Sequence, residues 1–383
     1  MSITTPAGFR AAGVTAGLKP SGTPDLAVVV NDGPHHHAAA VFTRNRVEAA
    51  PVTWSRQVLT DGRVDAVVLN SGGANACTGA AGFADTHRSA EHLAAVLGLS
   101  SGDVAVASTG LIGELLPMDK LITGIDAAVA TLSATGGGDA ATAIMTTDTV
   151  DKQALVAGDG WSVGGMAKGA GMLAPALATM LVVITTDAVA DPGVLDTALR
   201  AAAETTFDRI DSDGCMSTND TVLLMSSGAS GVTPSGADLT AALTSVCADL
   251  ARQLIADAEG AQHDIEIEIR SAASVPDALE VARAIARNNL FKCAVFGGDP
   301  NWGRVLAAVG TTQAVFDPGT LDVSMNGIQV CRAGGVGEDR GLIDMGARRV
   351  HVVVELHAGA QVATIWTNDL THDYVHENSA YST

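Results

Sequence analysis

Short apolar runs rich in β-branched residues alternate along this chain with longer stretches of helical periodicity. That alternation limits the fold to one that layers sheets against helices. Runs at 26–30, 66–69, 104–107, 180–185, 221–225, 265–269, 350–356 and 361–366 predict strands. Stretches at 84–97, 118–132, 192–205, 237–258 and 277–288 predict helices. The fourth is the clearest, because Leu239, Leu243, Val246, Cys247, Leu250, Leu254 and Ile255 make one apolar face between Gly236 and Gly260. The expected class is α/β, or α+β. No tandem repeat, low-complexity linker or composition shift marks a domain boundary.

Composition says what must fill such a core. Hydrophobic residues are 47% of the 383, but aromatics only 3%, so Ala, Val, Leu and Ile have to build it. The 42 glycines imply many tight turns and close backbone approaches. A net charge of −20 repels phosphate backbones and excludes nucleic acid as an expected partner. Cys77, Cys215, Cys247, Cys293 and Cys331 are odd in number and form no CxxC, which fits free thiols in a reducing cytoplasm. The N-terminal segment lacks a basic region followed by an apolar core, so no secretory leader is expected. The uncharged stretch 169–186 reaches the lower length of a membrane span. Pro175 and its glycines make it a turn entering a buried strand instead, so no membrane is expected. His35, His36 and His37 follow a turn signal and have no Cys or acidic partner at ligand spacing, so no metal is expected.

The chemistry concentrates in 164–186, GGMAKGAGMLAPALATMLVVITT. A glycine-rich, lysine-bearing approach leads through Pro175 to Ala178 and Thr179, and a β-branched strand follows at once. Composition alone makes Thr179 an ordinary strand residue. As a nucleophile it would need a base. Cutting the Ala178–Thr179 bond would supply one, the new α-amine, whose ordinary pKa is about 7.7–8.0. The Thr179 hydroxyl can itself attack the Ala178 carbonyl, giving an ester that water opens.

The run from Lys168 to Leu181 resembles the cleavage segment of the bacterial ornithine acetyltransferase (glutamate N-acetyltransferase) family. So do GFRAAGVTAGLK and AAVFTRNRVEAAPV near the start, then NSGGANACTG (70–79), STGLIGELLP (108–117), IMTTDT (144–149) and FDRIDSDGCMSTNDT (207–221). FGGDPNWGR (296–304) and ENSAYST (377–383) complete the series, so the resemblance spans nearly the whole chain. It implies β-sheets sandwiched between helices, as in the self-cleaving aminopeptidase relatives. It also implies cleavage into an α chain, 1–178, and a β chain, 179–383, that stay in one folded unit.

The resemblance further implies the roles of single residues. Thr179 is the nucleophile, and Thr109 and Gly110 hold the oxyanion. Thr146, Lys168, Thr179, Glu259, Asn378 and Thr383 hold the amino-acid substrate. The reaction it implies is ping-pong transfer of acetyl from N-acetylornithine to glutamate in arginine biosynthesis, without a resident cofactor. Acetyl-CoA serves as a second donor in some members, and the sequence leaves that open. A heterotetramer of two α and two β chains is the implied assembly. Local reasons accompany two of these roles. The strand at 104–107 runs into a Ser-Thr-Gly turn, where donors can converge. Glu259 reads as the carboxylate at the end of the clearest helix, unfavourable against the helix dipole and so suited to an ammonium. Two departures stand out. Gln262-His263 replace the Thr-Lys usual in the family, and Gly73 replaces an Asn. A hydrolase that passes the acyl group to water, a non-catalytic binding homologue, and a transferase with another amino-acid acceptor remain the alternatives.

Overall fold

In the central strands, alternate residues go to two different cores, and this places sheets between helices. The computed structural model describes residues 2–174 and 180–380. Pro175, Ala176, Leu177, Ala178 and Thr179 lie outside the described residues, as do Met1, Tyr381, Ser382 and Thr383. The described residues form two compact units, 2–208 with 215–257, and 209–214 with 258–380.

The first unit begins with β1 (Phe9–Val14), β2 (Leu26–Asn31), β3 (His37–Phe42), α1 (Ala50–Val58), β4 (Ala66–Asn70), α2 (Gly79–Leu97) and β5 (Val104–Ser108). It continues with α3 (Met118–Ala130), α4 (Gly137–Ala143), β6 (Lys152–Ala157), β7 (Ser162–Lys168) and β8 (Leu181–Thr186). Then come α5 (Pro192–Thr205), β9 (Thr221–Ser226) and α6 (Gly236–Ala256). Its sheets have the orders β1-β2-β4-β5 and β3-β9-β8-β7-β6. Ala27, Val29, Val67, Leu69, Ala105 and Ala107 of one sheet share a core with Ala38, Phe42, Met166, Leu181, Val183 and Leu223 of the other. The intervening residues Val28, Val30, Val68 and Val106 turn the opposite way, onto Leu93 of α2 and Leu121 and Ile125 of α3. On the outer face of the second sheet, α6 packs on β6 and β7, and α5 packs on α6 and β3. The first unit is therefore helix, sheet, sheet, helix, the sandwich expected from the resemblance.

Helix α6 is long and apolar enough to cross a membrane by length and composition alone. Its Leu239, Leu243, Val246, Leu250 and Leu254 are buried in this core instead. The helix stops at Ala256 with Asp257 as its C-cap. Glu259 therefore lies beyond the end and does not oppose the last turn as the sequence suggested.

The second unit contains β10 (Asp264–Ala272), α7 (Val275–Ala286), α8 (Asn289–Phe296), α9 (Trp302–Val309), β11 (Asp322–Met325) and β12 (Ile328–Arg332). It ends with β13 (Gly335–Val336), β14 (Arg349–Glu355), β15 (Gln361–Asn368) and α10 (His372–Ala380). Its single sheet has the order β13-β12-β11-β14-β10-β15. Ile265, Ile267, Ile269, Val350, Val352 and Val354 alternate onto α7, and Glu266, Glu268 and His351 face the other way, half-buried. Trp302 packs on this core while Asn301 caps α9, accepting from Arg304 N at 3.2 Å, so DPNWGR acts as a structural turn with an indole anchor.

Candidate functional site

Three strand ends of the first unit meet where the two sheets face each other. β5 ends at Ser108, β7 ends at Lys168, and β8 begins at Leu181. Lys168 pairs with Leu181 across the antiparallel register, and Leu181 pairs with Thr221 in parallel. Lys168 and Leu181 are therefore neighbours in the sheet, though Ala178 and Thr179 between them in sequence lie outside the described residues.

The turn after β5 is built from backbone. Thr109 N–H donates to Asn70 O at 3.0 Å, and Gly73 N–H donates to Thr109 O at 3.0 Å. Asn70 Nδ2 holds Ser108 Oγ at 2.6 Å. Gly110 has φ +129°, and a Cβ there would come within 2.8 Å of Gly73 N and 2.9 Å of Gly73 Cα. This position therefore requires glycine for its backbone and for its space. With the Thr109 N–H used in the sheet, the donors left at this turn are the Thr109 hydroxyl and the Gly110 N–H, which has no acceptor among the described residues.

Lys168 is not a surface lysine. It is 1% exposed, and its Nζ donates to Thr109 Oγ1 at 3.3 Å. Because Oγ1 accepts from Lys168, the hydroxyl hydrogen is directed elsewhere, which suits a donor to an oxyanion. Thr146 is half-buried, and its N–H donates to Asp148 Oδ2 at 2.9 Å. Asp148 also accepts from Gly169 N at 2.6 Å and from Lys152 Nζ at 2.7 Å. Burial alone would raise the Asp148 pKa. The charges of Lys168 and Lys152, with the hydrogen bonds from Lys152 and Gly169, overcome that and hold it at about 2.

Two neighbours that sequence reading missed brace this site. Asn219 Nδ2 donates to Ala74 O at 2.6 Å and Ser108 O at 2.8 Å, fixing the end of β5. Asp220 Oδ1 accepts from Met180 N–H at 3.1 Å, and Thr221 N–H donates to Met180 O at 3.1 Å. Complete burial pushes the Asp220 carboxyl well above the usual range, and the Met180 bond offsets only part of this. Both residues belong to the quoted segment 207–221, but nothing in its pattern tells a bracing residue from a loop residue.

Glu259 and Asn378 lie in the second unit and are brought together, Asn378 Nδ2 donating to Glu259 Oε2 at 3.0 Å. Gly260 allows this approach of α10. Its φ is +62°, and a Cβ would meet Tyr374 N at 2.2 Å. Glu259 lines a cavity of about 170 Å³ with Asp213, Arg287, Lys292 and Tyr374. Lys292 Nζ donates to Ser212 O, and burial lowers the Lys292 pKa. The Gln262-His263 departure is absorbed by Asp369, whose Oδ1 accepts both backbone N–H groups at 3.0 and 2.9 Å. Asp369 Oδ2 also lies 2.7 Å from His263 Nδ1. His37 Nδ1 contacts Ala190 O at 2.8 Å and His36 pairs with Asp65 at 3.0 Å, so two of the three tandem histidines have structural partners.

Asp211, paired with Arg287 of this cavity, gives a pH signature. Burial raises its pKa to about 6, against the opposing pull of Arg287 at 2.8 Å. A raised carboxyl pKa favours the protonated folded state, so its stabilising effect is full below about pH 4 and is lost as pH rises through 6. The expected loss is roughly 2–3 kcal/mol. Asp211→Asn cannot ionise, so its thermal midpoint should stay level from pH 4.5 to 7.5 while the parent's declines. Parallel curves would remove this assignment.

Residues 10–383 match the ArgJ family. The chain belongs to the ArgJ family. It is 66% identical over 382 residues to the arginine biosynthesis bifunctional protein ArgJ of Streptomyces avermitilis, and the alignment covers 100% of both chains. It is 65% identical over 383 residues to the protein of the same name from Thermobifida fusca, again covering 100% of both. A crystal structure of ornithine acetyltransferase complexed with ornithine, from Mycobacterium tuberculosis, is 58% identical, with a TM-score of 0.45. It covers 47% of this chain and 96% of its own. Of the residues the ArgJ resemblance names, the structure joins Thr109, Gly110 and Lys168 in one cluster and ties Thr146 to it through Asp148. It joins Glu259 to Asn378 in another. Ala178, Thr179 and Thr383 lie outside the described residues.

Proposed function

We propose that this ArgJ-family chain is an acetyltransferase of arginine biosynthesis that moves acetyl from N-acetylornithine to glutamate through Thr179. The observation that carries the reading is the Lys168–Thr109 contact at 3.3 Å. It brings the approach to Thr179 onto the turn suited to an oxyanion, in a chain that shares its whole length with named relatives.

The Thr179 hydroxyl first attacks the Ala178 carbonyl. Water hydrolyses the resulting ester, leaving an Ala178 carboxylate and a free Thr179 α-amine. That amine then takes the hydroxyl proton as Oγ attacks the acetyl carbonyl. The oxyanion accepts from the Thr109 hydroxyl and Gly110 N–H. Collapse expels ornithine, whose nitrogen receives the proton, and acetyl-Thr179 remains. The glutamate amine attacks this ester, and N-acetylglutamate leaves as Oγ regains its proton. Lys168 holds the substrate carboxylate, Thr146, Asn378 and Thr383 complete the substrate contacts, and Glu259 receives the ornithine ammonium. No resident cofactor takes part; acetyl-CoA is a second donor to assay. The free cysteines suit a cytoplasmic enzyme, and the cleaved chains assemble as two α and two β.

Denaturing mass spectrometry of purified protein tests the reading. Two fragments meeting between Ala178 and Thr179, with glutamate-dependent acetyl transfer, support it. One intact chain, or acetate release without an amine acceptor, would defeat it. Glu259→Gln should raise KM for N-acetylornithine about 10- to 100-fold, the worth of a charged hydrogen bond, while cleavage persists. An unchanged KM would refute the role of Glu259.

A further inference from the structure

One buried carboxylate links two of the substrate positions of the first unit, Thr146 and Lys168, and is not itself given a role by the resemblance. The Asp148 side chain is inaccessible to solvent. Its Oδ1 accepts from Gly169 N at 2.6 Å, which fixes the backbone immediately after Lys168. Its Oδ2 accepts from Thr146 N at 2.9 Å and lies 3.5 Å from Thr146 Oγ1. Its remaining capacity goes to Lys152 Nζ at 2.7 Å.

Charge gives this arrangement its meaning. Lys152 is as buried as Asp148 and is shared with Asp257 Oδ2 at 2.6 Å. Asp257 also accepts from Thr149 N at 3.0 Å. Asp148, Lys152 and Asp257 together carry one net negative charge, and Asp148 is the member that interacts with the charge of Lys168. A buried ammonium without such a counter-charge tends to lose its proton, and a neutral amine is a poor anchor for a carboxylate. The Lys19 ammonium repels that of Lys168, and its Nζ is held by Met145 O at 2.6 Å and Pro24 O at 2.9 Å. Asp25, which accepts from Leu18 N at 2.6 Å, is the anion facing Lys19.

We infer that Asp148 is a positioning residue that keeps Lys168 charged and aligned with Thr146, so that the site selects substrates bearing an α-carboxylate. The inference rests on the transferase reading and deepens it. Asp148 acts through Lys168 and Thr146 and takes no part in bond making.

The test compares two acetyl donors, N-acetylornithine and its decarboxylated counterpart, a monoacetylated diamine. The parent protein should prefer the donor with the carboxylate. Asp148→Asn removes the charge and keeps one of the two acceptor oxygens, so one of the bonds from Gly169 N and Thr146 N is lost with it. It should lower kcat/KM for N-acetylornithine about 10- to 100-fold, mainly through KM, while losing no more than about threefold on the diamine. Self-cleavage should still go to completion. Asp148→Asn could leave Lys152 poorly compensated and the fold weakened. The triple variant Asp148→Asn/Lys152→Met/Asp257→Asn removes all three charges, leaves no buried charge unpaired in the cluster, and should fold with the same loss of discrimination. Equal losses on both donors, or unchanged discrimination in a folded variant, would overturn the inference. An uncleaved or inactive parent would instead overturn the transferase reading, and this inference with it.

Discussion

Thr179→Ala is expected to yield one intact chain that transfers no acetyl group. In the proposed mechanism the hydroxyl is both the atom that opens the Ala178–Thr179 bond and the atom that carries the acetyl. The two losses arrive together, because without cleavage there is no α-amine base at Thr179. Loss of a covalent nucleophile costs roughly 10⁵-fold or more. Mass spectrometry reads the first loss and steady-state transfer from N-acetylornithine to glutamate reads the second. Fragments meeting at the same bond, or transfer within about tenfold of the parent, would show that Thr179 is not the acting residue.

The second large effect is expected at Gly110. Its φ of +129° is costly for any residue with a Cβ, and the atoms such a Cβ would strike belong to the Gly73 backbone. A flexible side chain could move aside, but a strand-linked backbone cannot do so cheaply. In Gly110→Ala the turn must shift, carrying the residue 110 N–H and the Thr109 hydroxyl away from the oxyanion that the proposed mechanism places there. A fall in kcat of about 10²- to 10³-fold is expected, with a smaller change in KM. Gly113→Ala is the control. Gly113 also has a positive φ, +91°, but is exposed with nothing within 4 Å of a Cβ. It should lose about 1 kcal/mol of stability and keep its kcat. Equal loss of kcat in both variants would mean that general strain, and not the oxyanion turn, is responsible.

Every predicted strand and helix has an observed counterpart, and the helix expected at 192–205 has those bounds, α5 (Pro192–Thr205). Two of the missed strands share a chemical cause. β3 reads HAAAVF and β7 reads SVGGMAK, sequences with little intrinsic strand preference. They are strands because the sheets pair them, and small residues there admit close layers. At Gly165 a Cβ would meet Val246 and Leu250 of α6 within 3 Å. The short α8 and α9 were missed because eight residues give too little periodicity to read.

The sequence by itself determined the family and the layered class, because long motifs in a fixed order carry that much, and it supplied the candidate site positions. It also held Thr109-Gly110 at a strand end, where a buried apolar run meets a turn. Only the tertiary structure decided which of those residues are buried and what each one touches. Lys168 could be read as a surface lysine until β7 and β5 brought it under Thr109. Glu259 read as a helix end until α6 stopped at Ala256 and Asn378 of α10 reached it. Asp148, Asn219 and Asp220 lie within quoted motifs, but their importance depends on partners 21 to 145 residues away in the chain. Burial and charge compensation are properties of the packed interior, and side chains this far apart in sequence acquire them only when the sheets close over one another.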